Sequence, residues 1–350
     1  MSSAFIIVTY RGKPYLEALF ATLKRHTDLT DNRIIVVENG SGDGTLEELQ
    51  RVTSGLDNVE ILPLTSNRGF AGGNNVGIAR ARELGSEFVV LLNQDLELSE
   101  GWLPPLLEVM SERPLVAAAQ PLILLHSEPE LVNTAGNHLH FCGFGYCGGY
   151  RKPLESLPDL QSVTSVAFAS GAALMLRMSA LDQTGYFDES LFLYHEDCEL
   201  QIRLRELGYD CVLAPRARVY HKYTASFSAQ KYALLDRNRW LVLLKHWPLW
   251  RLIVAAPALF GTELAVLAFA AKGGWLTAKL GTYGAVAKQL PSVYRDRRRL
   301  QRRRSSHATD GAVLTGNMSF DGLEHPLITH FANPLLSAYW GFARRVLKVR

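Results

Sequence analysis

The 350-residue chain contains only four cysteines, and no two of them form a CxxC pair. That scarcity excludes a disulfide scaffold and the common structural zinc motifs, and it suits a reducing compartment. Glycine and proline number 28 and 15 and follow no period, which excludes collagen and low-complexity chains. No Gly-Lys-Ser/Thr follows the glycines at 69–73, so that stretch is not a Walker phosphate loop. Residues 1–9 lack basic side chains and turn polar at Thr9. The expectation there is a first β-strand rather than a signal peptide, in a chain that stays in the cytosol.

Acidic residues are nearly missing from one window. Residues 245–304 hold 12 Lys/Arg against Glu263 and Asp296 alone, a net +10. The whole chain carries +3, so the other 290 residues sum to −7. Nucleic-acid binders usually line their working domain with cations, and this chain does not. The pattern is that of a mildly acidic body with a basic surface-docking tail.

What is present is alternation. Short apolar runs at 5–8, 34–37, 59–62 and 88–92 are separated by stretches with helical spacing at 15–25, 46–54 and 73–84. Strands alternating with helices predict βαβ units, a mostly parallel sheet, and ligands beyond the carboxyl ends of the strands. Residues 121–165 read as loops or short strands, and 163–176 as strand, turn, strand. Residues 195–207 read as a helix ended by Gly208, 209–214 and 217–220 as edge strands, and the chain from 232 onward as helical. Residues 252–271 are apolar apart from Glu263, long enough for a membrane span. A span would put the seven arginines of 295–304 on the far side, against the positive-inside bias. A helix or hairpin lying in the membrane interface is therefore expected, with the arginines on anionic head groups. A buried core helix is the alternative.

Four polar clusters follow these runs. Glu38-Asn39-Gly40-Ser41-Gly42-Asp43-Gly44-Thr45 ends a strand in a carboxylate and turns through three glycines, letting backbone approach a ligand closely. Asn67-Arg68-Gly69-Phe70-Ala71-Gly72-Gly73-Asn74-Asn75 reads as a second turn rich in amide donors. Asn93-Gln94-Asp95 leaves one carboxylate at a strand mouth, a candidate hard-cation ligand. His195-Glu196-Asp197-Cys198-Glu199 puts three carboxylates at a helix start, where the dipole favours an ionised general base. Each alone would also serve as an ordinary turn or helix cap. Their order along one chain carries the weight.

That order, beginning with Val8-Thr9-Tyr10, resembles the family 2 glycosyltransferases of the GT-A fold over roughly residues 4–245. Gly185-Tyr186-Phe187-Asp188-Glu189, His221-Lys222 and Arg237-Asn238-Arg239 resemble the bacterial rhamnosyltransferase branch. The resemblance implies an α/β GT-A domain over 1–245, with a Rossmann-like nucleotide-sugar half (1–100) and an acceptor half (101–245). A helical, basic, membrane-associating region over 246–350 would follow. It implies that Thr9, Tyr10, Arg11, Glu38, Asn39, Ser41, Asn67, Gly69, Phe70, Gly72, Asn74, Asn93 and Gln94 line the nucleotide sugar. Asp95, with His221, would hold Mg2+ or Mn2+; Asp197 would be the base and Glu196 the second choice. Glu38 stands where the family more often has Asp, and Asn93 replaces the first Asp of the DxD-type motif. The implied reaction is inverting transfer, by analogy from dTDP-rhamnose, to a hydroxyl of a glycan or lipid-linked acceptor. The enzyme would be peripheral on the inner, anionic face of the cell membrane, with no nucleic-acid partner. A nucleotidyltransferase and a non-catalytic sugar-binding protein are the rival readings.

Overall fold

The computed structural model describes residues 2–30, 32–224, 228–319, 326 and 328–346. They form two compact units. One comprises Met1–Asn137, Cys147–Leu204 and Tyr209–Thr224; the other comprises His138–Tyr146, Arg205–Gly208 and Ala225–Arg350.

The first unit begins with β1 (Ser3–Thr9), α1 (Lys13–His26), β2 (Arg33–Glu38), α2 (Thr45–Val52), β3 (Val59–Pro63), α3 (Gly69–Glu83) and β4 (Phe88–Asn93). The chain continues through β5 (Leu96–Leu98), α4 (Pro104–Glu112), β6 (Val116–Leu125), β7 (Val132–Thr134), β8 (Asn137–His140) and β9 (Gly145–Cys147). Then come β10 (Thr164–Ser165), β11 (Ala173–Arg177), α5 (Met178–Thr184), α6 (Glu196–Glu206) and β12 (Asp210–His221). The large sheet runs β10-β12-β6-β11-β4-β1-β2-β3, with β5 on β12 and β7 on β6. β1 pairs in parallel with β2 and β4, and β2 with β3. Thr9 lies opposite Glu38 and Val8 opposite Asn93, so three strand ends meet at one edge. The sheet is mixed: β11 runs antiparallel between β4 and β6. Apolar clusters cover both faces, one around Phe5, Ile7, Val36 and Trp102, the other around Ile6, Val37, Leu91 and Leu174.

Three expectations change. The second glycine-rich turn is mostly helix, because α3 starts at Gly69. Asn39 Oδ1 accepts from Arg68 N at 2.9 Å and Asn67 Oδ1 from Gly69 N at 2.8 Å, so side chains satisfy donors at its start. Its later glycines serve close packing on β1. A Cβ on Gly73 would come within 2.6 Å of Val8, and one on Gly77 within 2.5 Å of Ile6. Next, residues 116–125, whose later part reads as irregular, form β6, buried at every position. Three alanines and Pro121 conceal it from a propensity argument. Finally, the two late edge strands are one strand, β12, whose pairing with β6 shifts register between Ala214 and Arg218.

The second unit contains α7 (Ala229–His246), α8 (Leu249–Lys272), α9 (Leu276–Arg303), β13 (Leu314–Thr315) and α10 (Asn333–Val346). α8 is one continuous helix through Pro257 and Gly261, not a hairpin. Charged groups meet in its interior. Arg239 Nη2 lies 2.7 Å from both Asp236 and Glu263, and Lys279 bridges the same two carboxylates. Arg251 pairs with Asp310 at 2.8 Å, and Arg304 with Glu206 at 3.2 Å. The seven arginines of 295–304 are therefore not all available to head groups. Arg304 is used here, and Arg297 donates to the carbonyls of Leu244 and Trp247 at 2.8 and 2.6 Å.

Candidate active site

The ends of β1, β2 and β4 are laced together by the residues that the sequence singles out. Thr9 Oγ1 donates to Gln94 Oε1 at 2.7 Å, and Tyr10 N donates to the same oxygen at 3.0 Å. Gly12 is required beside them, because a Cβ there would lie 2.1 Å from Thr9 Oγ1. Arg11, at φ +51°, donates its N–H to Ser41 Oγ at 3.0 Å. Ser41 N donates to Glu38 Oε1 at 2.8 Å, so the buried carboxylate closes its own turn. Tyr10 remains 37% exposed at the mouth, a ring face for a base or sugar.

Two other candidates turn inward. Asn39 Nδ2 donates to Gly69 O at 3.0 Å and Asn74 Nδ2 to Phe70 O at 2.9 Å, and both residues are buried. They hold the shape of the Asn67–Gly69–Gly72 corner rather than offering free amides. Phe70 does reach the centre: a Cβ on Gly171 would meet its ring at 2.9 Å and the Asp197 Cβ at 3.5 Å.

That contact joins the strand-end turn to the carboxyl pair at the start of α6. Asp197 Oδ2 accepts from Gly171 N at 3.0 Å and Oδ1 from Cys198 N at 2.7 Å. Burial raises the Asp197 carboxyl, while these backbone donors favour its charged form. Glu196 is 5% exposed, and its Oε2 has no hydrogen-bond partner. Burial, followed by the neighbouring Asp197 charge, raises Glu196 well above the ordinary carboxyl range. Burial thus raises both carboxyls, Glu196 further through its neighbour's charge, and backbone donors orient Asp197.

The segment before α6 is held in place. Phe192, Tyr194 and His195 sit at φ +64°, +70° and +67°, a strained conformation for residues with side chains. Phe192 O accepts from Ala71 N at 3.2 Å, Arg68 pairs with Glu189 at 2.8 Å, and Asn75 Nδ2 donates to Phe187 O at 2.9 Å. The N-terminal part of α3 thus fixes the approach to Glu196. Sequence reasoning missed Gly171, Gly12 and Asn133; the only trace of the first was a Ser-Gly pair between two apolar runs.

Asp95 and His221 do come together. His221 Nε2 lies 3.2 Å from Asp95 Oδ1, and Nδ1 lies 2.8 Å from Asn133 Oδ1. Both ring nitrogens thus face a side-chain oxygen, and a neutral imidazole has one lone pair to offer a cation beside Asp95. Two acceptors at that distance fit a shared cation. Adjacent ligands of an octahedral ion with ~2.1 Å bonds stand about 3 Å apart. Among the described residues no three His, Cys, Asp or Glu converge as a metal cage. A cation here would complete its shell with ligand oxygens and waters, as Mg2+ does on a diphosphate.

The mixed α/β sheet, with polar side chains gathered at the ends of β1, β2 and β4, has the GT-A fold. The profile of Glycosyl transferase family 2 matches residues 4–185, and the chain belongs to that family. Over 237 residues it is 31% identical to the N-acetylglucosaminyl-diphospho-decaprenol L-rhamnosyltransferase of Mycobacterium tuberculosis, covering 62% of this chain and 74% of that protein. It is 25% identical to the O-antigen chain rhamnosyltransferase RfbN of Salmonella typhimurium, covering 66% and 70%. Among solved structures, GalNAc-T7 with UDP, GalNAc and Mn2+ shares the fold at a TM-score of 0.58. That likeness has 15% identity and covers 72% of this chain and 49% of that one. The chain is a glycosyltransferase with rhamnosyltransferase relatives, which removes the nucleotidyltransferase and sugar-binding readings.

Proposed function

We propose that the enzyme transfers rhamnose from dTDP-rhamnose, with inversion, to a hydroxyl of a lipid-linked glycan at the inner face of the cell membrane. The carrying observation is the Asp197 carboxyl, aimed by the Gly171 and Cys198 N–H groups at the start of α6. A carboxyl held by backbone donors that favour its charged form suits a base that deprotonates the acceptor hydroxyl as it attacks. Thr9, Tyr10, Arg11, Glu38, Ser41 and Gln94 bind the nucleoside end, and the Asn67–Gly72 corner, with Phe70, positions the sugar against Gly171. Asn93 ends β4 beside them. Asp95 and His221 hold Mg2+ or Mn2+, and when bound that ion neutralises charge on the leaving diphosphate. The donor and the lipid-diphosphate acceptor are suggested by the relatives' names.

The test is a donor panel presented to the purified chain with a short N-acetylglucosaminyl-diphospholipid, with and without chelator. Metal-dependent turnover of dTDP-rhamnose with an inverted anomeric centre is expected. Preference for another nucleotide sugar would overturn the donor, and retention of configuration would overturn the role of Asp197.

A further inference from the structure

Helix α8 is inside out. Its exposed side carries Leu249, Ile253, Phe260 and Leu264, exposed at 67, 64, 69 and 52%. Spacings of four, seven and four residues put them on one stripe. The exposed residues between them are Trp250, Ala256, Pro257 and Gly261, none of them charged. Its other side holds Arg251 and Thr262, while Glu263 flanks the stripe, partly buried. Both charged groups are ion-paired, Arg251 with Asp310 and Glu263 with Arg239 and Lys279. Water would favour the reverse arrangement.

Helix α9 continues the pattern along its length. At 100° per residue, Leu280, Tyr294, Arg298 and Arg302 fall within about 80° of one another. Lys279, Thr282 and Val293 lie on the other side and are buried. One exposed face is therefore apolar in its first half and cationic in its second. The cationic half is an open concavity lined by Tyr294, Arg295, Arg298, Arg299, Arg302 and Arg303. On α10, Leu335 and Phe342, seven residues apart, are 72% and 68% exposed.

We propose that the second unit docks in the plane of an anionic phospholipid surface, with the outer stripe of α8 immersed and the arginine face of α9 on head-group phosphates. This deepens the reading of a membrane-presented acceptor and rests on it only for its purpose. The docking surface itself stands on the exposed faces. Charge decides the occupant. A second copy placed symmetrically would set arginine against arginine, whereas phosphates complement five guanidinium groups and lipid tails complement the apolar stripe. The ion-paired side of α8 decides the orientation. A spanning α8 would have to keep Glu263, Arg239 and Lys279 at bilayer depth, while a helix in the plane leaves them above it.

The experiment uses the full chain and vesicles of phosphatidylcholine alone or with 30% phosphatidylglycerol, with no acceptor present, so its failure is separable from failure of the enzymatic reading. Wild type should float with both, and more tightly with the anionic vesicles. Replacing Arg295, Arg298, Arg299 and Arg302 by Gln should weaken anionic binding at least about tenfold and leave neutral binding unchanged. Replacing Ile253, Phe260 and Leu264 by Gln should abolish both while the protein stays folded by circular dichroism. Leu249→Cys and Lys272→Cys, each made with Cys147→Ser, should both react with an impermeant maleimide added outside the vesicles. Protection of one end would mean a span and overturn the in-plane docking. A wild-type oligomer that ignores vesicles and dissociates on Phe260→Gln would mean that a second copy covers this face. Equal binding by wild type and the four-Gln variant would overturn the phosphate contact.

Discussion

The two units handle charge in opposite ways. In the first, Phe5, Ile6, Ile7 and Val36 are fully buried, and the ion pairs Arg51–Glu48, Arg80–Glu60 and Arg82–Asp182 lie at the surface. In the second, Arg239, Lys279 and Asp236 are buried with Glu263 half-buried beside them, while leucines and phenylalanines face outward. Each arrangement is sensible for a different surrounding medium. A buried pair is costly to desolvate and holds only while every partner is present. The first unit also contains a buried pair, Arg203–Glu199 on α6, where Arg203 donates as well to the carbonyls of Thr184, Gly185 and Tyr186. It lies one helical turn from Glu196 and Asp197 and braces the helix that carries them.

The largest effect is expected where the contrast is sharpest. Lys279→Met leaves Asp236 and Glu263 with Arg239 alone and should cost about 3–5 kcal/mol in chemical denaturation of the second unit. Adding Asp236→Asn should recover part of that loss by restoring the charge balance. A loss no greater than that of a surface pair would erase the distinction between the units.

Within the first unit the carboxyl pair comes next. Asp197→Asn should lower kcat at least about 10²-fold with little change in donor KM, because a base acts mainly in the transition state. Glu196→Gln should hurt less, since Gln copies a neutral acid. A Glu196→Gln enzyme more damaged than Asp197→Asn, both folded, would exchange their roles. Asp95→Ala should remove the Mn2+-dependent gain in nucleoside-diphosphate affinity measured by calorimetry, and a gain that survives would clear Asp95 of metal binding.

How far the sequence could anticipate this depends on what kind of signal each element carries. Strands β1 to β4 are legible because each is a short apolar run followed by a polar end, and their ends name Thr9, Glu38, Asn93 and Asp95 in advance. The α6 helix is legible from its acidic start and Gly208. β6 is not, because it is buried on both faces, so it lacks alternation, and after Val116 come three alanines, Gln120 and Pro121, poor strand formers. The start of α3 is hidden for another reason: the Arg68 N–H at its cap is met by Asn39, 29 residues earlier, and no local pattern reports that. The pairing of His221 with Asp95 comes from the family resemblance rather than from any local pattern, and the Asn133 contact on the other ring nitrogen has no signal until the chain folds. In the second unit, composition gives the apolar and basic segments but not which arginines turn inward.

Acidity separates the two members of the carboxyl pair a second way. Glu196 is raised in the folded protein, so the native state holds a proton that the unfolded chain releases above about pH 4.3. The stability tied to that proton is fully present below the unfolded value and is lost as pH rises through the folded one. Glu196→Gln has nothing to lose, so its stability relative to wild type should climb as pH rises above about 4.3. Parallel curves for the two proteins would mean that Glu196 is ionised when folded.

The smallest effect belongs to the surface of the first unit. Arg51 lies 2.7 Å from Glu48 and 3.1 Å from Glu17, with its side chain 57% exposed. Water screens this pair, and holding two long side chains together opposes the attraction. Arg51→Ala should therefore move the thermal midpoint by no more than about 2 °C, and added salt should shrink even that. The same salt series on Lys279→Met should leave its deficit almost untouched, because ions cannot enter the cluster around Asp236. Similar salt sensitivity in the two variants would mean that the Asp236–Arg239–Glu263–Lys279 group is open to solvent, and the contrast between the units would fail there.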